Sequence, residues 1–122
     1  MSRWLIVEDD LGAAEALAQT LLRAGCDAGI VHNGNDALSA MDDSFDGAIV
    51  DLNLPDMPGE KLVETLYERF IDKIYGFVTG VMPDEIEEIA RRCGADFWLI
   101  KPIDTRELLQ LIGTYSMKEA IS

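Results

Sequence analysis

Five residues of this chain have the types to do chemistry together, if folding brings them together. Glu8 and Asp9 follow the apolar run Trp4-Leu5-Ile6-Val7. Asp51 follows Gly47-Ala48-Ile49-Val50, Thr79 follows Tyr75-Gly76-Phe77-Val78, and Lys101 follows Phe97-Trp98-Leu99-Ile100. Any one of them is an ordinary strand-to-loop residue; their joint position after apolar runs is what argues for a site. Two like charges ~4 Å apart repel by about 4 kcal/mol at an effective dielectric near 20. Three carboxylates in one crevice therefore bind cations or protons. Lys101 supplies one positive charge, and an oxygen-only donor set suits a hard divalent cation such as Mg²⁺. The histidines and cysteines expected around zinc are missing from these segments. Mg²⁺ flanked by a lysine and a threonine is a receptor for a phosphoryl group, whose equatorial oxygens need neutralising and a hydrogen bond. A carboxylate that attacks phosphorus gives an acyl phosphate.

The elements that must position these residues are legible in the hydropathy pattern. The four runs above and Ala28-Gly29-Ile30-Val31 are continuous rather than alternating, as in strands covered on both faces of a parallel sheet. Between them lie helical patterns. Leu11, Ala14, Leu17, Ala18, Leu21 and Leu22 share helical spacing, with Gly25 as a stop. A short helix is expected after Asn35, with Ala37, Leu38 and Met41 inward. Pro58 opens the next, with a stripe of Leu62, Val63, Leu66, Tyr67 and Phe70. Pro83 suits a first helical position. Behind it Ile86, Ile89, Ala90 and Cys93 form one face, Gly94 ends the helix, and Glu87–Arg91 and Glu88–Arg92 pair at i,i+4. Asp104 caps the last helix, with Glu107 three residues on and Leu108, Leu111 and Ile112 inward. Five β-α units predict an α/β fold: an open, doubly wound, five-stranded parallel sheet of flavodoxin-like order 2-1-3-4-5. In such a sheet all strand C-termini lie on one edge, where ligands bind, so the five residues converge.

Composition narrows the function classes. The 122 residues carry a formal net charge of −13, against a nucleic-acid surface and against docking on anionic lipid. The same charge favours a monomer or a weak dimer. Cys26 and Cys93 stand apart in apolar, helix-end contexts and are expected as buried reduced thiols. Glu8, Asp9 and Asp10 stand where a signal peptide needs its apolar stretch, and no apolar run is long enough to span a membrane. A cytoplasmic setting is expected. Phosphate-binding loops, dinucleotide fingerprints and nucleophile elbows are missing. His32, the single histidine, is expected at a solvent-facing loop edge.

From Trp4 to about Ile112 the sequence resembles the receiver domains of two-component response regulators. The motifs that carry the resemblance are LIVEDD, DGAIVDLNLPDMPG, FVTG and LIKPID. FVTG is also similar to the Phe-x-Thr-Gly signature of stand-alone receivers. The resemblance implies Asp51 as the phosphorylated residue. It implies Asp9 as a direct Mg²⁺ ligand, Glu8 as holder of a metal-bound water, and the Asn53 backbone carbonyl as a further ligand. It implies Lys101 as the phosphoryl partner, with a cis bond to Pro102. Thr79 would move to bond a phosphoryl oxygen, and the small Gly80 would leave it room. Trp98 stands three residues before the lysine, where receivers usually carry Tyr or Phe. It reads equally as a core aromatic and as a switch residue.

The implied function is a signalling switch rather than an enzyme, self-catalysing only its own Asp phosphorylation and dephosphorylation. The implied donor is a phosphohistidine on a histidine kinase or histidine phosphotransfer protein. The implied output is a protein effector docked on the last two helices and strand. The receiver domain is expected over 1–122, with its core at about 3–114 and a tail at 115–122 that extends the last helix or frays. The expectation covers both a single-domain regulator and the receiver of a longer protein. Two rivals stand beside it. A Mg²⁺-dependent phosphohydrolase on a similar sheet commonly has a second acid two residues after its nucleophile, where this chain has Asn53. A phosphorylation-independent binding module would have no use for the acidic site.

Overall fold

A computed structural model describes residues 2–80 and 83–121. Strands and helices alternate throughout: β1 (Arg3–Val7), α1 (Leu11–Arg23), β2 (Asp27–Val31), α2 (Gly34–Ala40), β3 (Gly47–Asp51), α3 (Gly59–Arg69), β4 (Ile74–Thr79), α4 (Pro83–Cys93), β5 (Phe97–Ile100) and α5 (Thr105–Ile121). The five strands are parallel, in the order β2-β1-β3-β4-β5. This is the flavodoxin-like order expected. The order reverses between β1 and β3, which puts their C-terminal ends at the switch point.

Strand side chains alternate between two cores. Leu5, Val7, Ala48, Val50, Tyr75 and Phe77 face α2, α3 and α4, where they meet Ala37, Leu62, Val63, Leu66, Ile86 and Ala90. Trp4, Ile6, Ile49, Val78, Phe97 and Leu99 face α1 and α5, against Ala14, Leu17, Leu21, Leu108 and Ile112. Burial on both faces explains the continuous apolar runs in β1, β3 and β4. The edge strand β2 differs: Asp27 is exposed and the rest only half-buried, because it has a neighbouring strand on one side only.

Helix ends follow local chemistry. Asp10 caps α1 by accepting the Ala13 amide, and Asn33 caps α2 by accepting the Asp36 amide. The α2 helix thus begins one residue before Asn35, not after it. Gly25 and Gly94 adopt φ of 84° and 85° just beyond α1 and α4, a conformation that favours glycine. Several expected inward residues lie outside: Leu11, Leu22 and Tyr67 are exposed. Arg91 pairs with Glu87 at 3.0 Å as expected, but Arg92 reaches across to Glu60 of α3 at 2.9 Å instead of Glu88. A neighbouring helix offers a partner that sequence spacing does not reveal. Cys26 and Cys93 are buried and free. The α5 helix continues to Ile121, so the expected tail is helical that far, and Ser122 lies outside the described residues. Among the described residues no helix is long and apolar enough to cross a membrane.

Candidate functional site

The site is assembled at the C-terminal edge of the sheet. Val7 pairs with Val50 in the β1–β3 ladder, so Glu8, just past the end of β1, and Asp51, the last residue of β3, are neighbours although far apart in sequence. Both are buried, at 4% and 5% exposure. Asp9 is exposed on the rim. From beyond β5, the Lys101 ammonium reaches Glu8 Oε1 at 2.8 Å and Asp51 Oδ2 at 2.9 Å. Its backbone amide donates to the Thr79 carbonyl at 2.8 Å, which ties Lys101 to the end of β4. The other Asp51 oxygen, Oδ1, accepts the Asn53 amide at 2.9 Å. The Lys101–Pro102 peptide bond is cis. Gly59, at the start of α3, closes onto the same backbone. A Cβ there would lie 2.3 Å from the Asp51 carbonyl oxygen.

The electrostatics show excess negative charge. Burial, and then the hydrogen bond shared with Asp51, push the Glu8 carboxyl up to about 7; Lys101 opposes this without cancelling it. For Asp51, burial also pushes upward, but hydrogen bonds from Glu8, Lys101 and the Asn53 amide outweigh it and hold the carboxyl below its ordinary value. The two carboxyls titrate as a pair, in which Glu8 keeps its proton to higher pH than Asp51. Lys101 is raised: burial works against its charge, and the two carboxylates more than offset that.

Carboxylate oxygens of Glu8, Asp9 and Asp51 all lie within 4.8 Å of one another. This donor set is hard, oxygen-only and underneutralised by a single ammonium, and so it fits a hard divalent cation. A cavity of about 290 Å³ runs from Glu8, Asp51 and Lys101 down between α1 and α5, walled by apolar residues such as Leu17, Ile49, Val78 and Leu108.

Residues 4–113 match the response regulator receiver domain family. The chain belongs to that family. It is 33% identical over 117 residues to the transcriptional regulatory protein PcoR of Escherichia coli, covering 93% of this chain and 51% of that protein. It is also 33% identical to a CpxR homolog of Haemophilus influenzae, covering 98% of this chain and 52% of that protein. The chain therefore spans about half the length of these two regulators. Among solved structures, a CheY-like receiver domain from Methanospirillum hungatei superposes with a TM-score of 0.90 at 28% identity, covering 100% of this chain and 99% of that one. One from Methylobacillus flagellatus gives 0.82 at 34% identity, covering 93% and 98%. Receiver domains of response regulators are signalling switches that work with histidine kinases and effector domains.

Within this receiver, the structure brings Glu8, Asp9, Asp51 and Lys101 together, with the Asn53 backbone against Asp51. Thr79 ends β4 and is fully buried. Gly80 follows it, and among the described residues a Cβ there would meet nothing within 4 Å. Trp98 is not in the cluster. It is half-buried against the core on the α2–α4 side, opposite Phe77 in the ladder. Two sets of contacts at the site's border escaped the sequence reading. His32, exposed as expected, has its Nδ1 2.9 Å from the Glu8 carbonyl oxygen. Asp56 accepts two backbone amides from the start of α2. Both contacts join loops that only the folded sheet makes adjacent.

Proposed function

We propose that Asp51 of this receiver accepts a phosphoryl group from a phosphohistidine of a histidine kinase or histidine phosphotransfer protein, with Mg²⁺ as cofactor. The observation that carries the reading is the buried Asp51 carboxylate, ionised and held between Lys101 and Glu8 at the end of β3. Asp9, Asp51 and the Asn53 backbone carbonyl are the residues to hold Mg²⁺ directly, with Glu8 behind them. When bound, Mg²⁺ neutralises charge on the phosphoryl oxygens. The protein's own groups do the rest. An Asp51 carboxylate oxygen attacks phosphorus, an O–P bond forms, the N–P bond breaks, and its electron pair returns to the imidazole. Lys101 keeps the charge of the transferring group balanced, and Thr79 donates a hydrogen bond to it. Gly80 leaves room for that group.

The response is a shift of Thr79 and Lys101 toward the phosphoryl group, which repacks α4 and alters an effector-binding face on α4, β5 and α5. Trp98, at half-burial on β5, stands on that route and is the residue whose rotamer reports it. The unit 1–122 acts as one receiver domain in the cytoplasm, as a monomer or weak dimer, without contacting nucleic acid or membrane itself. Dephosphorylation is self-catalysed. A phosphohydrolase reading finds less support, because Asn53 cannot protonate a leaving group. Asp51→Asn tests the proposal. The variant keeps its fold by circular dichroism and loses labelling by a small phosphodonor in Mg²⁺; labelling that persists refutes it.

A further inference from the structure

The loop between β3 and α3 carries Asn53 and is closed at its base, where Gly59 donates to the Leu52 carbonyl at 2.8 Å and Asn53 bridges Pro58. Its outer part leaves the sheet and rests on the β2–α2 corner. Asp56 Oδ1 accepts the Gly34 amide and Oδ2 the Asn35 amide, both at 2.8 Å. Met57 lies over Gly34 so closely that a Cβ on Gly34 would come 2.5 Å from its sulfur. The same corner touches the opposite wall of the acidic cluster, where the His32 ring meets the Glu8 carbonyl oxygen at 2.9 Å and the Glu8 amide donates to Val31 at 3.1 Å. Residues 32–35 thus brace both loops that converge on Asp51, the one carrying Glu8 and Asp9 and the one carrying Asn53.

We propose that Asp56 is a positioning residue of the cation site: its two-pronged grip on the Gly34 and Asn35 amides holds the β3–α3 loop so that the Asn53 backbone meets the ion in register with Asp9 and Asp51. The proposal rests on the Mg²⁺ reading above. A carboxylate with two oxygens suits two adjacent N–H groups, and groups that orient a ligand tune metal affinity without touching the metal. Asparagine retains one of the two acceptors; alanine retains neither. Both remove the same charge, so the difference between them isolates geometry from electrostatics.

The test is calorimetric titration of the full chain with MgCl₂ for wild type, Asp56→Asn and Asp56→Ala, alongside thermal melts. The expected result is graded, with Mg²⁺ affinity reduced by about 3-fold in Asp56→Asn and by about 10-fold in Asp56→Ala. The Asp56→Asn deficit should persist at about 0.5 M salt, where a distant charge is screened. Equal loss in both variants, or a deficit that vanishes in salt, means that charge alone acts and overturns the proposal. So does wild-type affinity in Asp56→Ala, whatever its melting temperature. A wild type that binds no Mg²⁺ overturns the functional reading itself, which is a different result from equal binding across the three proteins.

Discussion

The proton that Glu8 keeps makes a prediction about stability with a definite sign. The folded chain raises Glu8 from 4.5 to about 7. Between those pH values the folded chain keeps a proton that the unfolded chain has released, so the free energy of unfolding falls as pH rises through the window. At ~1.4 kcal/mol per unit, the loss is roughly 3 kcal/mol. It needs little discount for solvent, since Glu8 is 4% exposed. Asp51 acts in another window. Its lowered value adds stability that is present above about 3.8 and lost below. The assay is urea unfolding of the Mg²⁺-free protein from pH 4.5 to 8, beside Glu8→Gln. The amide keeps a donor toward Asp51 and cannot ionise, and subtracting the two curves removes the background from all other acids. The two proteins should be equally stable near pH 4.5, with the variant ahead by roughly 3 kcal/mol at pH 8. Saturating Mg²⁺ at pH 8 should restore wild-type stability by mass action, and restore less in the variant. Curves that run parallel across the window would refute the reasoning.

Two further substitutions separate the site from its support. Gly59→Ala puts a methyl 2.3 Å from the Asp51 carbonyl oxygen and 2.7 Å from the Leu52 Cα, where only backbone can yield. A stability loss of about 1–3 kcal/mol is expected by chemical denaturation, together with slower labelling at Asp51. Tyr75→Phe removes a buried hydroxyl that donates to the Phe70 carbonyl at 2.8 Å and contacts the Leu66 carbonyl at 3.1 Å. It should cost about 1–2 kcal/mol and leave the labelling rate unchanged, because those carbonyls lie at the far end of α3.

Strands β1, β3 and β4 were legible because burial on both faces leaves an unbroken apolar run, and that pattern survives without knowledge of neighbours. The strand order and the convergence of Glu8, Asp9, Asp51 and Lys101 followed from the parallel alternation. What escaped depends on neighbours. The apolar residues of β2 do not reveal that it lies at an edge and is half-buried. Leu11 and Leu22 have helical spacing with the core residues of α1, yet they fall outside its buried stripe. Arg92 had a partner at helical spacing and took Glu60 of the adjacent helix instead. Asp56 reads as a turn residue, and its grip on α2 bridges more than twenty positions of sequence.

The separation of the site's parts along the chain also bears on how the protein folds. Lys101 lies 93 positions from Glu8 and 50 from Asp51. A half-folded chain that has paired β1 with β3 but has not docked β5 brings two carboxylates together without their ammonium. Above the pH at which Glu8 releases its proton, the repulsion raises the energy of such a species relative to both the native and the unfolded chain and disfavours it. The acidic cluster thereby works against partial structures and sharpens the transition toward all-or-none. In Glu8→Gln that penalty is absent, and a broader unfolding transition, seen as divergence between fluorescence and circular dichroism, is the mark it should leave. The residues that receive the phosphoryl group would then also police the completeness of the fold that carries them.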